Sequence, residues 1–118
     1  MSTITNIIVT VIMLLHIGFM ILEIFYWDKP LGRRVFGHSQ EAAKVSKTLA
    51  ANQGLYNGFL AAGLFWGLTL GANGTSVTIF FLACVLVAGI FGGITASRKI
   101  LYVQAFPAAI GLTLVFLS

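Results

Sequence analysis

The chain contains four long apolar runs, and these runs constrain its fold more than any other feature. They cover about residues 4–26, 48–70, 77–97 and 100–117. A helix needs about 20 mostly apolar residues to cross the ~30 Å hydrocarbon core of a bilayer, and each run approaches or exceeds that length. We therefore predict a single domain, residues 1–118, that is an all-α, integral membrane four-helix bundle.

The composition also indicates a lipid environment. Hydrophobic residues make up 58% of the 118 residues and charged residues only 8%, whereas soluble domains carry about 25% charged residues. The single cysteine, Cys84, excludes an internal disulfide. One cysteine and two histidines are too few for the common structural zinc sites, so no metal is predicted. The sequence identifies no cofactor.

The basic residues form two groups, and these groups predict how the helices are oriented. The first basic segment, residues 27–47, contains Lys29, Arg33, Arg34, Lys44 and Lys47. Arg98 and Lys99 form the turn between the last two runs. If four spans alternate, both groups lie on one side, and the positive-inside rule makes that side cytoplasmic. We therefore predict a multi-pass protein of the cytoplasmic (inner) membrane with both termini outside. The same grouping explains the net charge of +4 without a nucleic-acid partner.

Helix boundaries are predicted from capping residues and prolines. Pro30 and Gly32 are expected to break any helix continuing from the first run. Ser39 is a good N-cap and Glu41 suits the first turn, so one helix is expected to begin there and continue into the second span. His38 is expected to be solvated. Pro107 is expected to kink the fourth span.

Small residues recur at four-residue spacing in the second and third runs. The rows are Gly54, Gly58 and Ala62; Gly63, Gly67 and Gly71; and Ala88, Gly92 and Ala96. Such rows let helix backbones touch, so these two spans should approach closely. The rows would serve either the interior of one bundle, which we favour, or a homo-oligomer interface.

Ionisable residues within a membrane helix are costly, so each is a functional candidate. His16 lies near the middle of the first run. Glu23 follows two helical turns later on the same face, about 10 Å away. We take both as candidate catalytic acid/base residues. The structural alternatives are an ion pair of Glu23 with Arg98 or Lys99, and a neutral core histidine that bonds a backbone carbonyl.

Further polar residues occur at the same predicted depth and are candidate ligand-binding residues. They are Asn52, Gln53, Tyr56, Asn57, Arg98 and Gln104. On a helix, residues four apart are neighbours, so the second run carries two adjacent polar stripes. The other half of each run is nearly all apolar. This asymmetry predicts a polar pocket open to the cytoplasm or the inner leaflet. The alternative is that the amides only hold helices together, at about a kcal/mol or less each.

These features resemble a known family. His16 and Glu23 in the first run, a tryptophan just after it, and the segment AANQGLYNGFLAAGLFWG at residues 50–67 are similar to the family named domain of unknown function 1304. These are short bacterial four-span membrane proteins. The resemblance covers nearly the whole chain. It implies the four-span fold and no activity.

A weaker similarity links the chain to the membrane-associated eicosanoid and glutathione metabolism proteins. It rests on size, four spans, outward termini and a basic first cytoplasmic loop. Asn52, Gln53 and Asn57 loosely resemble a polar motif in the second span of those proteins. That motif contains a carboxylate, which this chain lacks there, and Arg98 alone matches their arginine-rich clamp. The similarity therefore implies architecture and not glutathione chemistry.

Three hypotheses of function follow. The first is a protein that binds, or also acts on, a lipid-like or amphipathic small molecule. Glu23 and His16 would then be acid/base groups, and Arg98 would hold an anionic group. The second is a proton-coupled exporter working as a dimer, similar to the small multidrug transporters, which have an essential first-span Glu but shorter first loops. The third is a structural partner of another membrane protein.

Overall fold

The computed structural model describes all residues from 1 to 118, and they form helices joined by short turns. The helices are α1 (Thr3–Phe25), α2 (Pro30–Phe36), α3 (Gln40–Thr69), α4 (Thr75–Thr95), α5 (Arg98–Ile100) and α6 (Phe106–Leu117). A 3₁₀ turn, Gly71–Gly74, precedes α4, and a π-helical turn, Leu101–Ala105, joins α5 to α6. The predicted all-α class is confirmed.

Three stretches are long and apolar enough to cross a membrane: Thr3–Phe25, Gly71–Thr95 and Arg98–Leu117. They correspond to the predicted first, third and fourth spans. The predicted second span lies within α3, whose side-chain amides and N-terminal charges lower its hydropathy. The chain is thus a helical membrane protein by the length and composition of these three stretches.

The N-terminus of α3 is where the sequence predicted it. The backbone N–H of Ala42 donates to the Ser39 hydroxyl at 3.1 Å, which is the bond expected of an N-cap. The break expected at Pro30 and Gly32 is confirmed, because α1 ends at Phe25, but Pro30 also begins the short helix α2, which the sequence did not predict. A proline is well tolerated in the first turn of a helix, where its missing N–H has no partner to lose. The helix ends at Gly37, which adopts a positive φ of 71°.

The irregularity predicted at Pro107 takes the form of the π-helical turn before it. The backbone N–H of Phe106 donates to the carbonyl of Leu101, five residues back. A wider turn at this point makes room for the proline ring, which would otherwise clash with the carbonyl four residues earlier.

The chain divides into two compact units. Unit 1 comprises Met1–Leu14 and Leu60–Ser118, and unit 2 comprises Leu15–Phe59. The core of unit 1 consists of buried aliphatic side chains. They are Val9, Ile12, Leu64, Leu82, Val85, Ala108 and Val115. Large apolar side chains also face outward in this unit, among them Phe80, Phe91, Phe106 and Phe116. This outward apolar surface suits a lipid environment.

Small residues bring the helices of unit 1 into contact. A Cβ at Gly63 would collide with the ring of Phe81, and one at Gly67 with Thr78. The close approach predicted between the second and third runs is therefore confirmed in this unit. At Gly89, a Cβ would lie 2.6 Å from the backbone nitrogen of Ala105. These glycines serve the interior of the bundle, and a homo-oligomer interface stays a prediction.

Candidate functional site

A buried carboxylate at the end of α1 is the centre of the candidate site in unit 2. Glu23 is 1% exposed. Its Oε2 accepts a hydrogen bond from Gln53 Nε2 at 2.7 Å, and its Oε1 accepts one from Asn57 Nδ2 at 2.5 Å. Gln53 and Asn57 are one turn apart on α3 and so reach the same carboxylate. We call these three residues the Glu23 cluster.

The absence of a side chain at Gly54 lets α3 come close enough for these bonds. A Cβ at Gly54 would lie 3.0 Å from the Glu23 Cβ and 2.9 Å from Cγ1 of Ile24. At Gly58, one turn further, a Cβ would meet the sulfur of Met20. The glycine row therefore determines which face of α3 meets the end of α1 in unit 2.

The hydrogen-bond pattern suits an ionised carboxylate. An ionised carboxylate only accepts hydrogen bonds, and here each oxygen receives an amide N–H. A protonated carboxyl also donates, so one amide would have to turn and present its oxygen. Both side-chain amides carry such an oxygen. The cluster can thus satisfy either protonation state of Glu23 by rotation of one amide.

His16 is buried in the same unit, two turns before Glu23 on α1. Its ring packs edge-on against Phe19, with centroids 5.4 Å apart. The hydrogen-bond donors to Glu23 are the two amides. An acid/base role for His16 stays a prediction.

The other predicted ligand-binding residues do not join the Glu23 cluster. Asn52 is exposed, and Tyr56 is 59% exposed with its ring 6.1 Å from that of Phe59. In unit 1, Arg98 is exposed at the start of α5, and Gln104 Nε2 donates to the Val85 carbonyl at 3.4 Å. Their ligand-binding roles stay predictions. So does the alternative ion pair between Glu23 and the Arg98–Lys99 turn.

An aromatic cluster that the sequence did not predict joins the turn after α1 to α2 and α3 within unit 2. The Trp27 ring lies 4.8 Å from Phe36 and 4.2 Å from His38. Its Nε1 donates to the Ser46 hydroxyl at 3.0 Å, and His38 Nε2 donates to the Trp27 carbonyl at 3.0 Å. We call these four residues the Trp27 corner. His38, which was expected to be solvated, is half-buried, with one side of its ring packed against Trp27. Aromatic residues within a basic, polar segment were the available signal.

An ion pair next to the Trp27 corner links Asp28, just after α1, to Lys47 of α3. Lys47 Nζ lies 3.1 Å from the Asp28 carboxylate. The hydrogen bond from Lys47 lowers the pKa of Asp28 below its ordinary value, although burial opposes the shift. Asp28 therefore stays ionised and paired at neutral pH. The chain contains no group of three or more His, Cys, Asp or Glu residues placed to hold a metal ion.

The model of one protein family, described as a protein of unknown function (DUF1304), matches residues 10–116. The chain belongs to the DUF1304 family. It is also 28% identical, over 113 residues, to the uncharacterized protein YpaA of Lactococcus lactis subsp. lactis (strain IL1403). That alignment covers 93% of this chain and 95% of YpaA. No solved structure matches.

The DUF1304 match includes both the Glu23 cluster and the Trp27 corner. The family description names no activity, and neither does the name of YpaA. The function of this DUF1304 protein must therefore be argued from the chemistry of these two groups of residues.

Proposed function

We propose that this protein is a four-span protein of the cytoplasmic membrane that binds an amphipathic small molecule through the Glu23 cluster. The observation that carries the proposal is a buried carboxylate held between two uncharged amides. Ionisable groups at membrane depth are costly to maintain, so each is a functional candidate. Neutral amide donors satisfy the Glu23 oxygens without cancelling a negative charge, so the cluster favours a ligand that donates hydrogen bonds.

The four-span topology requires α3 to cross the membrane. No charged residue lies between Lys47 and the end of α3 at Thr69. This stretch exceeds the ~20 residues that a span needs. Two of its three side-chain amides, those of Gln53 and Asn57, are bonded to Glu23, which reduces the cost of placing them in lipid. With four spans, the first basic segment and the Arg98–Lys99 turn face the cytoplasm.

Single-cysteine labelling tests this topology. In a Cys84→Ser background, Gln40→Cys and Asn73→Cys place a thiol before α3 and after it. A membrane-impermeant maleimide should label Asn73→Cys from outside the cell and Gln40→Cys only in inverted vesicles. If α3 does not cross, both positions react from the same side, and the four-span proposal is wrong.

Exposure within unit 2 suggests how a ligand reaches the carboxylate. Glu23 is buried, yet the Gln53 side chain bonded to it is exposed. A ligand would therefore meet Gln53 first, and its hydroxyl or amine could replace the Gln53 amide on Oε2. Unit 2 also exposes Phe25, Leu55 and Phe59. These apolar side chains suit the tail of an amphipathic molecule.

Native mass spectrometry of the protein in mild detergent tests ligand binding. The parent protein should carry a bound small molecule that Glu23→Gln loses, because the new amide no longer offers two acceptor oxygens. Asp28→Asn is the matched control, since it makes the same change at a carboxylate outside the cluster and should keep the adduct. An adduct that persists in Glu23→Gln, or no adduct on the parent, would contradict the proposal.

A second candidate is a proton-coupled exporter that works as a dimer. It is favoured by the hydrogen-bond pattern, because protonation of Glu23 requires an amide to rotate and would thereby alter the ligand contacts. A dimer that moves cationic substrates across liposomes under a pH gradient, and stops doing so in Glu23→Gln, would favour export. Binding without such transport favours the first proposal. Catalysis by His16 and Glu23 on the bound molecule stays a prediction.

A further inference from the structure

The short helix α2 is fixed in place at the end of α1. The backbone N–H of Lys29 donates to the Tyr26 carbonyl at 3.0 Å. Gly32 packs directly against the same carbonyl, where a methyl group would collide with the oxygen. Phe36, at the end of α2, packs on the Trp27 ring. These contacts hold α2 at one defined position beside the end of an apolar helix long enough to span a bilayer.

Two adjacent arginines of α2 have donors that the protein does not use. Arg34 is exposed and Arg33 is half-buried, and the buried Nε of Arg33 bonds to no protein atom. Neither arginine takes part in an ion pair. A guanidinium group presents a planar set of N–H donors that matches the oxygens of a phosphate. Leu31, next to them, is exposed as well, which is typical of a helix at a membrane surface.

The acidic residues of unit 2 leave the positive charge of α2 uncompensated. Asp28, the acidic residue nearest to α2 in the chain, is held by Lys47. That hydrogen bond lowers the pKa of Asp28 and keeps the pair intact at neutral pH. Glu23 is buried and bonded to amides, and Glu41, in the first turn of α3, forms no ion pair. The arginines of α2 therefore remain free to attract an anion.

We propose that α2 binds the phosphate of anionic phospholipid head groups, with Arg34 as the exposed contact and Arg33 as the contact nearer the protein. The site lies where α1 ends, and the end of a span is the depth at which lipid phosphates occur. A tryptophan beside it is also typical of the membrane interface. The inference requires α1 to span the membrane and does not depend on ligand binding at the Glu23 cluster.

Quenching of Trp27 by brominated lipids tests the proposal on the full chain. The second tryptophan is removed by Trp66→Phe, a conservative change at an exposed side chain. The protein is reconstituted in phosphatidylcholine bilayers that contain either dibrominated phosphatidylglycerol or dibrominated phosphatidylcholine, and the ratio of quenching gives the relative lipid affinity. Each arginine near the surface should contribute about fivefold to the preference for phosphatidylglycerol. Arg34→Gln should therefore reduce that preference about fivefold, and the double variant with Arg33→Gln should abolish it.

Lys44→Gln separates a lipid site on α2 from diffuse attraction. Lys44 carries the same charge on the exposed surface of α3, and its loss should leave most of the preference intact. An equal loss in Lys44→Gln and Arg34→Gln, or no preference in the parent, would overturn the proposal. A last arm repeats the quenching measurement with millimolar inorganic phosphate. Sodium chloride at equal ionic strength is its control. If phosphate removes the preference where sodium chloride does not, the site also takes free phosphate, which would overturn its assignment to lipid head groups alone.

Discussion

The Asn57→Ala substitution measures how strongly the Glu23 cluster holds unit 2 together. It leaves Oε1 of a carboxylate that is 1% exposed without its donor. Hydrogen bonds to charged groups contribute about 1.5–3 kcal/mol, whereas bonds between membrane helices average about 0.6 and reach about 1.7 kcal/mol. Because Glu23 is buried from replacement water, we expect a loss of about 1.5 kcal/mol in the free energy of unfolding. Gln53→Ala should lose only about 0.5 kcal/mol, since water can reach that exposed position.

A double-mutant cycle tests whether the loss in Asn57→Ala comes from the hydrogen bond between Asn57 and Glu23. In a Glu23→Leu background, Asn57→Ala should lose much less, which gives a coupling energy of about 1 kcal/mol. Reversible unfolding in mixed micelles with increasing dodecyl sulfate, followed by tryptophan fluorescence, gives each free energy. Asn6→Ala, an exposed amide on α1, is the control and should be neutral. If the Glu23 and Asn57 substitutions are additive within about 0.5 kcal/mol, the bond is not what stabilises the unit.

Two further predictions concern packing and pH. Gly89→Ala should lower the free energy of unfolding by about 1–3 kcal/mol, because its methyl group meets the backbone of Ala105. Gly18→Ala, with no atom within 4 Å of the new methyl, should be neutral or gain up to about 1 kcal/mol; equal thermal unfolding of the two variants would refute this. The lowered pKa of Asp28 means that its pair with Lys47 stabilises the protein at neutral pH, and that this contribution disappears as the pH falls through that lowered pKa. Lys47→Gln should therefore unfold earlier than the parent at neutral pH and equally once Asp28 is protonated.

Local sequence signals were sufficient to predict the long helices but not the short helix α2. Apolar length predicted α1 and α4, and Ser39 predicted the start of α3, because these features depend on residues close in the chain. Pro30 can both end a preceding helix and begin a new one. The new helix packs Gly32 against a carbonyl of the preceding segment, a contact that no local pattern reveals.

For the site, the sequence predicted the polar residues but not which of them meet. With 3.6 residues per turn, Gln53 and Asn57 lie about 100° and about 60° from Gly54 around α3, whereas Asn52 and Tyr56 lie about 160° away. Gly54 is the residue that packs against the end of α1. The glycine row and the amide stripes, considered together, therefore select the pair that bonds Glu23. Which two amides reach the Glu23 carboxylate depends on how α3 is rotated about its axis. Neither the glycine row nor the amide stripes alone specify that rotation.

The polarity of α3 and the acidity of α1 are best understood as one feature. Taken alone, α3 is less apolar than the three stretches suited to cross a membrane, and Glu23 is an unfavourable residue for lipid. In unit 2 the amides of α3 are the hydrogen-bond donors to Glu23, so each reduces the desolvation penalty of the other. Transfer into a bilayer should accordingly be much easier for α1 and α3 as a hairpin than for either alone. A hydropathy scale that scores one helix at a time omits this mutual reduction of the desolvation penalty.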